Sequence, residues 1–295
     1  MRLKNQINYH FTYLTYILGL LFSLSNTYSS DFQTPRTMAL GGSGHGAPLH
    51  GDPIYLNPSF TSFLQAYNLG FSYMFFNPNN PNDPISSSFR GMEWNVSVID
   101  GRSELFQAGV SFTRRQDFRM LHLAVSKAAM RNLSLGAGGK IFFPQDGSSN
   151  QIMDATFSAT YLVNEMIQVA VIGDNLVESS TGLAQGLNRE IILGTKINLS
   201  GIAMVYLDPH FYPTAPASLP NYGHELGVEL TIFKDLFIRG GSYKNSMVPF
   251  LGQKGSGWGA GLGWIAPRIS LDYGFSLSSE PVQATAHSLG FTVYL

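Results

Sequence analysis

The side chains with most chemistry to offer are charged residues set at alternate positions in otherwise apolar stretches. Glu225 and Glu229 lie in HELGVELTI, Arg239 in the next such stretch and Asp272 two stretches on. Lys140, Asp154, Glu190 and Lys196 form a second set. Successive side chains of a strand point to opposite faces, so Glu225 and Glu229 oppose Leu226, Val228, Leu230 and Ile232. If that apolar face meets lipid, a charge turned outward costs roughly 2–4 kcal/mol near the midplane. The charges therefore point inward. There they either form a network that gates or docks something in a lumen, or serve lumen solvation and plain structural pairing.

Gly257, Gly259, Gly261 and Gly263 alternate with Trp258, Ala260, Leu262 and Trp264. A row of glycines on an inner face leaves room for backbone to approach the wall. Asn57–Pro58 is the expected neighbour; the other reading is low bulk with no partner. His45, His50 and Asp52 carry metal-ligand atoms, but no helix or strand is evident there to fix them, so no metal or cofactor is expected. Gly41-Gly42-Ser43-Gly44 lacks the strand before and helix after it that a dinucleotide loop needs. The seven histidines are scattered, and no Ser/His/acid pattern suggests a hydrolase, so no enzyme is expected. With no cysteine there is no thiol catalysis and no disulfide framework.

The elements that must position these residues read as strands. Leu69, Phe71, Tyr73 and Phe75 alternate with polar or small residues, as do Phe106 to Phe112, Ala155 to Tyr161 and Leu289 to Leu295. The spacing predicts fourteen strands: 68–76, 93–99, 105–113, 119–127, 133–143, 152–163, 166–173, 189–198, 201–207, 222–233, 236–243, 257–265, 268–276 and 286–295. Tight turns mostly alternate with longer connections at 77–92, 144–151, 174–188, 208–221, 244–256 and 277–285. This is the rhythm of an outer-membrane barrel. Trp258 and Trp264 share one face, about 20 Å apart along the strand, as two aromatic girdles require.

Composition agrees. Only 13% of the 295 residues are charged, against roughly 25% in an ordinary soluble domain. A chain 44% hydrophobic is not disordered, and a net charge of −1 without a basic block excludes nucleic-acid binding. No apolar run reaches the roughly 18 residues of a membrane helix. Arg2 and Lys4 precede an apolar stretch from Leu14 to Leu24 and then small residues, the pattern of a secretory signal peptide rather than a single-pass anchor. The expected organisation is a signal peptide at 1–29, a Gly/Pro/Ser-rich plug or lumen-lining segment at 30–66, and an all-β transmembrane antiparallel barrel of about fourteen strands at 67–295. The alternative for the middle segment is a disordered periplasmic arm.

Residues 35–63 read PRTMALGGSGHGAPLHGDPIYLNPSFTSF. This resembles the N-terminal signature of the long-chain fatty acid transporter (FadL) superfamily, which also contains the PorV/PorQ proteins of type IX secretion. Arg36, Met38, Gly41, Gly42, Asp52, Asn57 and Pro58 match, while Ser59 stands where alanine is usual. Ile172-Gly-Asp-Asn-Leu, the hairpin from His224 to Asn245 and the final LGFTVYL are similar too. The resemblance implies an outer-membrane barrel that passes small hydrophobic compounds through a plugged lumen. Its other branch implies a barrel that transports nothing and anchors secreted proteins at the cell surface. The implied partners are outer-membrane lipid, a hydrophobic small molecule and, for the second branch, a secreted or outer-membrane protein.

Overall fold

In a computed structural model that describes residues 32–78, 91–115, 118–144, 151–184, 186–216 and 219–295, the period-two alternation becomes fourteen strands. They are β1 (Tyr67–Pro78), β2 (Gly91–Asp100), β3 (Gln107–Arg114), β4 (Phe118–Met130), β5 (Leu133–Pro144), β6 (Ile152–Leu162) and β7 (Ile167–Asp174). The second half holds β8 (Glu190–Leu199), β9 (Ala203–Phe211), β10 (Tyr222–Phe233), β11 (Leu236–Val248), β12 (Gln253–Ile265), β13 (Ile269–Glu280) and β14 (Ala284–Tyr294). Each strand pairs antiparallel with its neighbours in sequence, and β1 pairs with β14 to close the barrel. Closure leaves no unpaired edge, the condition a sheet must meet in hydrocarbon. Among the described residues no helix is long and apolar enough to cross a membrane. Residues 1–29, expected to be a signal peptide, lie outside the described residues.

Side chains sort as the alternation demands. On β10, Leu226, Val228, Leu230 and Ile232 face outward and are exposed, while Glu225, Gly227 and Glu229 are buried inside. On β12 Trp258 and Trp264 point outward and the four glycines inward. The outward surface is therefore an apolar belt on strands of lipid-spanning length.

Several strands run further than the alternation predicts. β11 and β12 continue until residues 249–252 alone join them, and residues 281–283 alone join β13 to β14. Residues 244–246 are Lys, Asn and Ser, so both faces are polar there and the hydropathy signal stops. The backbone ladder does not stop, because Ser246 still pairs with Gly255. The expected long connection at 174–188 contains a short helix, α3 (Ser180–Ala184). Those at 77–92 and 144–151 fall largely outside the described residues.

Ahead of β1 the chain forms α1 (Pro35–Ala39), α2 (Pro53–Leu56) and a 3-10 helix (Pro58–Phe63). Each opens on a proline, whose fixed φ suits a first helical position. Thr34 caps α1, its hydroxyl accepting from the Thr37 N–H at 3.3 Å. Gly41 and Gly42 end that turn at φ +64° and +89°, in the left-handed region open to glycine. The segment is almost wholly buried, against inward-facing residues of the barrel. Its apolar side chains join clusters with the wall: Tyr55 with Ile99 and Met120, Met38 with Phe76, Tyr243 and Phe250, and Leu40 with Tyr206.

Candidate functional site

The candidate site is the interior surface where residues 32–64 meet the barrel wall. It has a charged side and a neutral side.

On the charged side α1 lies against β11–β14. Arg36 donates from Nη1 to Asp52 Oδ2 at 3.1 Å, from Nε to Glu229 Oε2 at 3.4 Å and from Nη2 to the Tyr206 hydroxyl at 2.8 Å. Arg239 donates from Nε to the same Glu229 oxygen at 2.5 Å and from Nη1 to Asp272 Oδ1 at 2.5 Å. Two guanidinium groups thus share three carboxylates, two from the wall and one from the segment. All five side chains are buried. Thr34 donates to the other Asp52 oxygen at 2.5 Å, tying the two ends of the Arg36–Asp52 turn. Burial pushes the His50 imidazole below its ordinary value of 6.5, against the nearby Asp272 and Asp52 carboxylates. His50 is therefore neutral at pH 7, its Nε2 3.7 Å from Asp272 and its Nδ1 against the Tyr294 hydroxyl.

The glycine row makes this docking possible. A Cβ on Gly259 would lie 2.1 Å from the Met38 carbonyl oxygen, and one on Gly261 would lie 2.5 Å from the Ala39 Cβ. Gly263 faces the Arg239 guanidinium and Gly257 the Tyr243 ring. The neighbours of the row are thus Met38 and Ala39, not Asn57–Pro58. The end of α1 reaches the wall through the Met38 carbonyl and the Ala39 side chain, and Asn57 instead bonds Thr160 of β6.

On the neutral side the 3-10 helix packs on β4, β5 and β6. The Asn57 amide donates to the His45 carbonyl and to Thr160 Oγ1, each at 2.8 Å, and its Oδ1 accepts from Ser59 at 2.6 Å. The Ser59 N–H donates to Ser158 Oγ at 2.8 Å. Ser59 thus uses the hydroxyl that an alanine would lack. Pro58 and Ser59 sit on Gly136 and Gly138 of β5.

The other charges disperse. Lys140 pairs with Asp174 at 2.6 Å although Asp154 is its register neighbour. Asp154 instead accepts the Ala155 and Val177 N–H groups at 2.7 and 3.0 Å. Lys196 is half-buried on β8 without an ion-pair partner among the described residues. Glu190 and Glu225 belong to a cluster that sequence reasoning missed, with His45, Asp208 and His210. The available signal was parity: Tyr206, Asp208 and His210 alternate along β9 on the lumen face, beside Glu225 of β10.

Two cavities beside the segment are small. One of about 40 Å³ is bordered by Gly42, His45, Glu190, His210 and Glu225. Another of about 20 Å³ lies near Arg36 and His50. Larger apolar grooves, such as one of about 640 Å³ bordered by Phe106, Leu135 and Phe157, lie on the outward face.

No protein-family model and no curated protein matches this sequence. Solved structures do match. The CymD monoaromatic hydrocarbon channel aligns with a TM-score of 0.65 at 11% identity, over 92% of this chain and 98% of its own. The toluene transporter TbuX of Ralstonia pickettii gives 0.62 at 11% identity, over 92% and 99%. The toluene transporter TodX of Pseudomonas putida gives 0.57 at 9% identity, over 91% and 98%. At such identities the likeness is one of fold: this chain folds as these channels do, over nearly its whole length.

Proposed function

We propose that this protein is a FadL-like outer-membrane barrel for the passive uptake of small hydrophobic compounds, with residues 30–66 as its plug. The observation that carries the reading is the shared fold, end to end, with three channels named for hydrocarbons or toluene. The apolar belt supplies the lipid partner, and the signal-peptide pattern of residues 1–29 directs export.

The cavities set a condition on the mechanism. Holding one benzene takes about 150 Å³, several times the 40 Å³ beside His45. A ring-sized compound fits neither of these two cavities as they stand, so on this reading the segment shifts as one passes. The steps are capture at the outer loops, entry to a lumen pocket as the charged side loosens, and release past the segment. The test is uptake of radiolabelled toluene and of a long-chain fatty acid by cells with and without the gene. Faster uptake with the gene supports the reading; equal uptake across both compounds overturns it.

A second reading is a PorV/PorQ-like barrel that transports nothing and holds a secreted or outer-membrane protein. Short connections at 249–252 and 281–283 favour it, since they offer no ligand groove there. Crosslinking in intact cells followed by purification separates the two. Recovery of the barrel alone counts against the second reading.

A further inference from the structure

We propose that His45, His210 and Glu225 form a site for a divalent transition metal of the zinc class, clamping the N-terminal segment to the barrel wall. This is independent of whether the barrel transports. The three residues come from three places: the segment, β9 and β10. Their ligand atoms all lie within 4.8 Å of one another, and all three side chains are buried.

The distances suit a metal. Glu225 Oε2 is 3.3 Å from His210 Nε2 and 3.6 Å from His45 Nδ1. Ligands about 2.0–2.1 Å from a tetrahedral zinc stand about 3.3 Å from each other. His210 Nε2 and Glu225 Oε2 face each other at ion-pair distance, and neither buried atom makes a hydrogen bond among the described residues. At 3.3 Å the two atoms face each other without the alignment a hydrogen bond requires. A divalent cation between them would take the place of the proton that otherwise joins the ring to the carboxylate, and would satisfy both buried atoms.

The surrounding groups are arranged as those of a metal site usually are. His210 Nδ1 is held by Glu190, which fixes the ring and leaves Nε2 aimed at Glu225. Ser246 donates to Glu225 Oε1 at 2.5 Å, leaving Oε2 for the centre. Asp208 accepts backbone N–H groups from Gly44, His45 and Thr195 at 2.7, 2.9 and 3.1 Å. His45 Nδ1 lies 3.0 Å from Asp208 Oδ2; a metal would take the Nδ1 lone pair in place of that contact, and Asp208 would keep its three backbone bonds. Gly42 keeps the approach open, since a Cβ there would lie 2.4 Å from Glu225 Oε1. The adjoining cavity of about 40 Å³ has room for a water as fourth ligand. Two imidazoles and one carboxylate select zinc-like ions over magnesium or calcium, which prefer all-oxygen sites. His50 and Asp52 take no part, because they face Asp272 and Arg36.

The test uses the untagged full-length barrel, folded in detergent, titrated with Zn²⁺ and separately with Co²⁺. The expected results are one Zn²⁺ per chain retained through gel filtration and the intense visible absorption of tetrahedral Co²⁺. Bound Zn²⁺ should also slow proteolysis of the N-terminal segment, and a chelator should reverse this. His45→Gln and His210→Gln should each weaken binding roughly a hundredfold, and Ser246→Ala roughly tenfold through the orientation of Glu225. If a ligand variant does not fold, the cobalt spectrum of the unaltered protein still decides. No saturable binding, an octahedral cobalt spectrum, or undiminished binding in a folded His210→Gln protein overturns the proposal.

Discussion

The two sides of the interior hold the same segment by different physics. Around α1 the contact is ionic: Arg36 and Arg239 against Asp52, Glu229 and Asp272, all buried. Around the 3-10 helix it is neutral: the Asn57 amide and hydroxyls of Ser59, Ser158 and Thr160. A buried ion pair contributes little beyond a well-packed apolar pair, yet removing one partner strands the rest at high cost. Amide and hydroxyl bonds give a smaller, more even return, each about 1 kcal/mol net. The charged side is thus the more sensitive to loss of a single partner, and the neutral side the better candidate for an anchor.

The largest effect should come from breaking the ionic side. Arg239→Ala leaves Glu229 and Asp272 short of a counter-charge and should cost about 3–5 kcal/mol, read from urea unfolding of the detergent-folded barrel. Overpacking comes next and compares the sides directly. Gly259→Val drives a side chain into the Met38 carbonyl, and Gly136→Val drives one into the Ser59 backbone. Each should cost at least about 1–3 kcal/mol. If the neutral side is the anchor, Gly259→Val exposes α1 to protease while the Asn57 region stays protected, and Gly136→Val exposes both. Equal exposure in the two variants would remove the distinction. Asn57→Ala should cost about 1–3 kcal/mol by orphaning buried partners, with protease cleavage beginning near residue 57 rather than near 36.

The smallest effect is a pH dependence confined to the ionic side. His50 is faced by Asp52 and Arg36 of the segment, Arg239 of β11, Asp272 of β13 and Tyr294 of β14. Its folded value lies below the ordinary 6.5, so above pH 6.5 the ring is neutral folded or unfolded and contributes nothing. As pH falls through 6.5 the unfolded ring takes a proton that the folded one resists, and stability declines. His50→Gln should flatten that decline in unfolding measured between pH 7 and 5. An unchanged slope assigns it elsewhere.

All fourteen strands were legible because lipid demands an apolar residue at every second position, which leaves no strand ambiguous in type. Their ends were not, since above the lipid both faces are polar while the ladder continues, as at Ser246–Gly255. The inward direction of Glu225, Glu229, Arg239 and Asp272 was legible for the same reason. Their partners were not. Arg36 meets Glu229 across 193 positions of sequence, and only the closed ring brings them together. The histidine cluster was hidden in the same way: His45 and His210 stand 165 positions apart, and neither lies in a local motif.

The closing seam between β1 and β14 has a consequence in time. The interior segment precedes every strand, and the strands that cradle α1, β11 to β14, are the last four in the chain. Docking on the ionic side therefore needs the final four strands in place. The 3-10 helix packs on β3 to β6, which lie far nearer to it along the chain. The neutral contact closes the shorter loops of chain and so is the one that can form before the seam shuts.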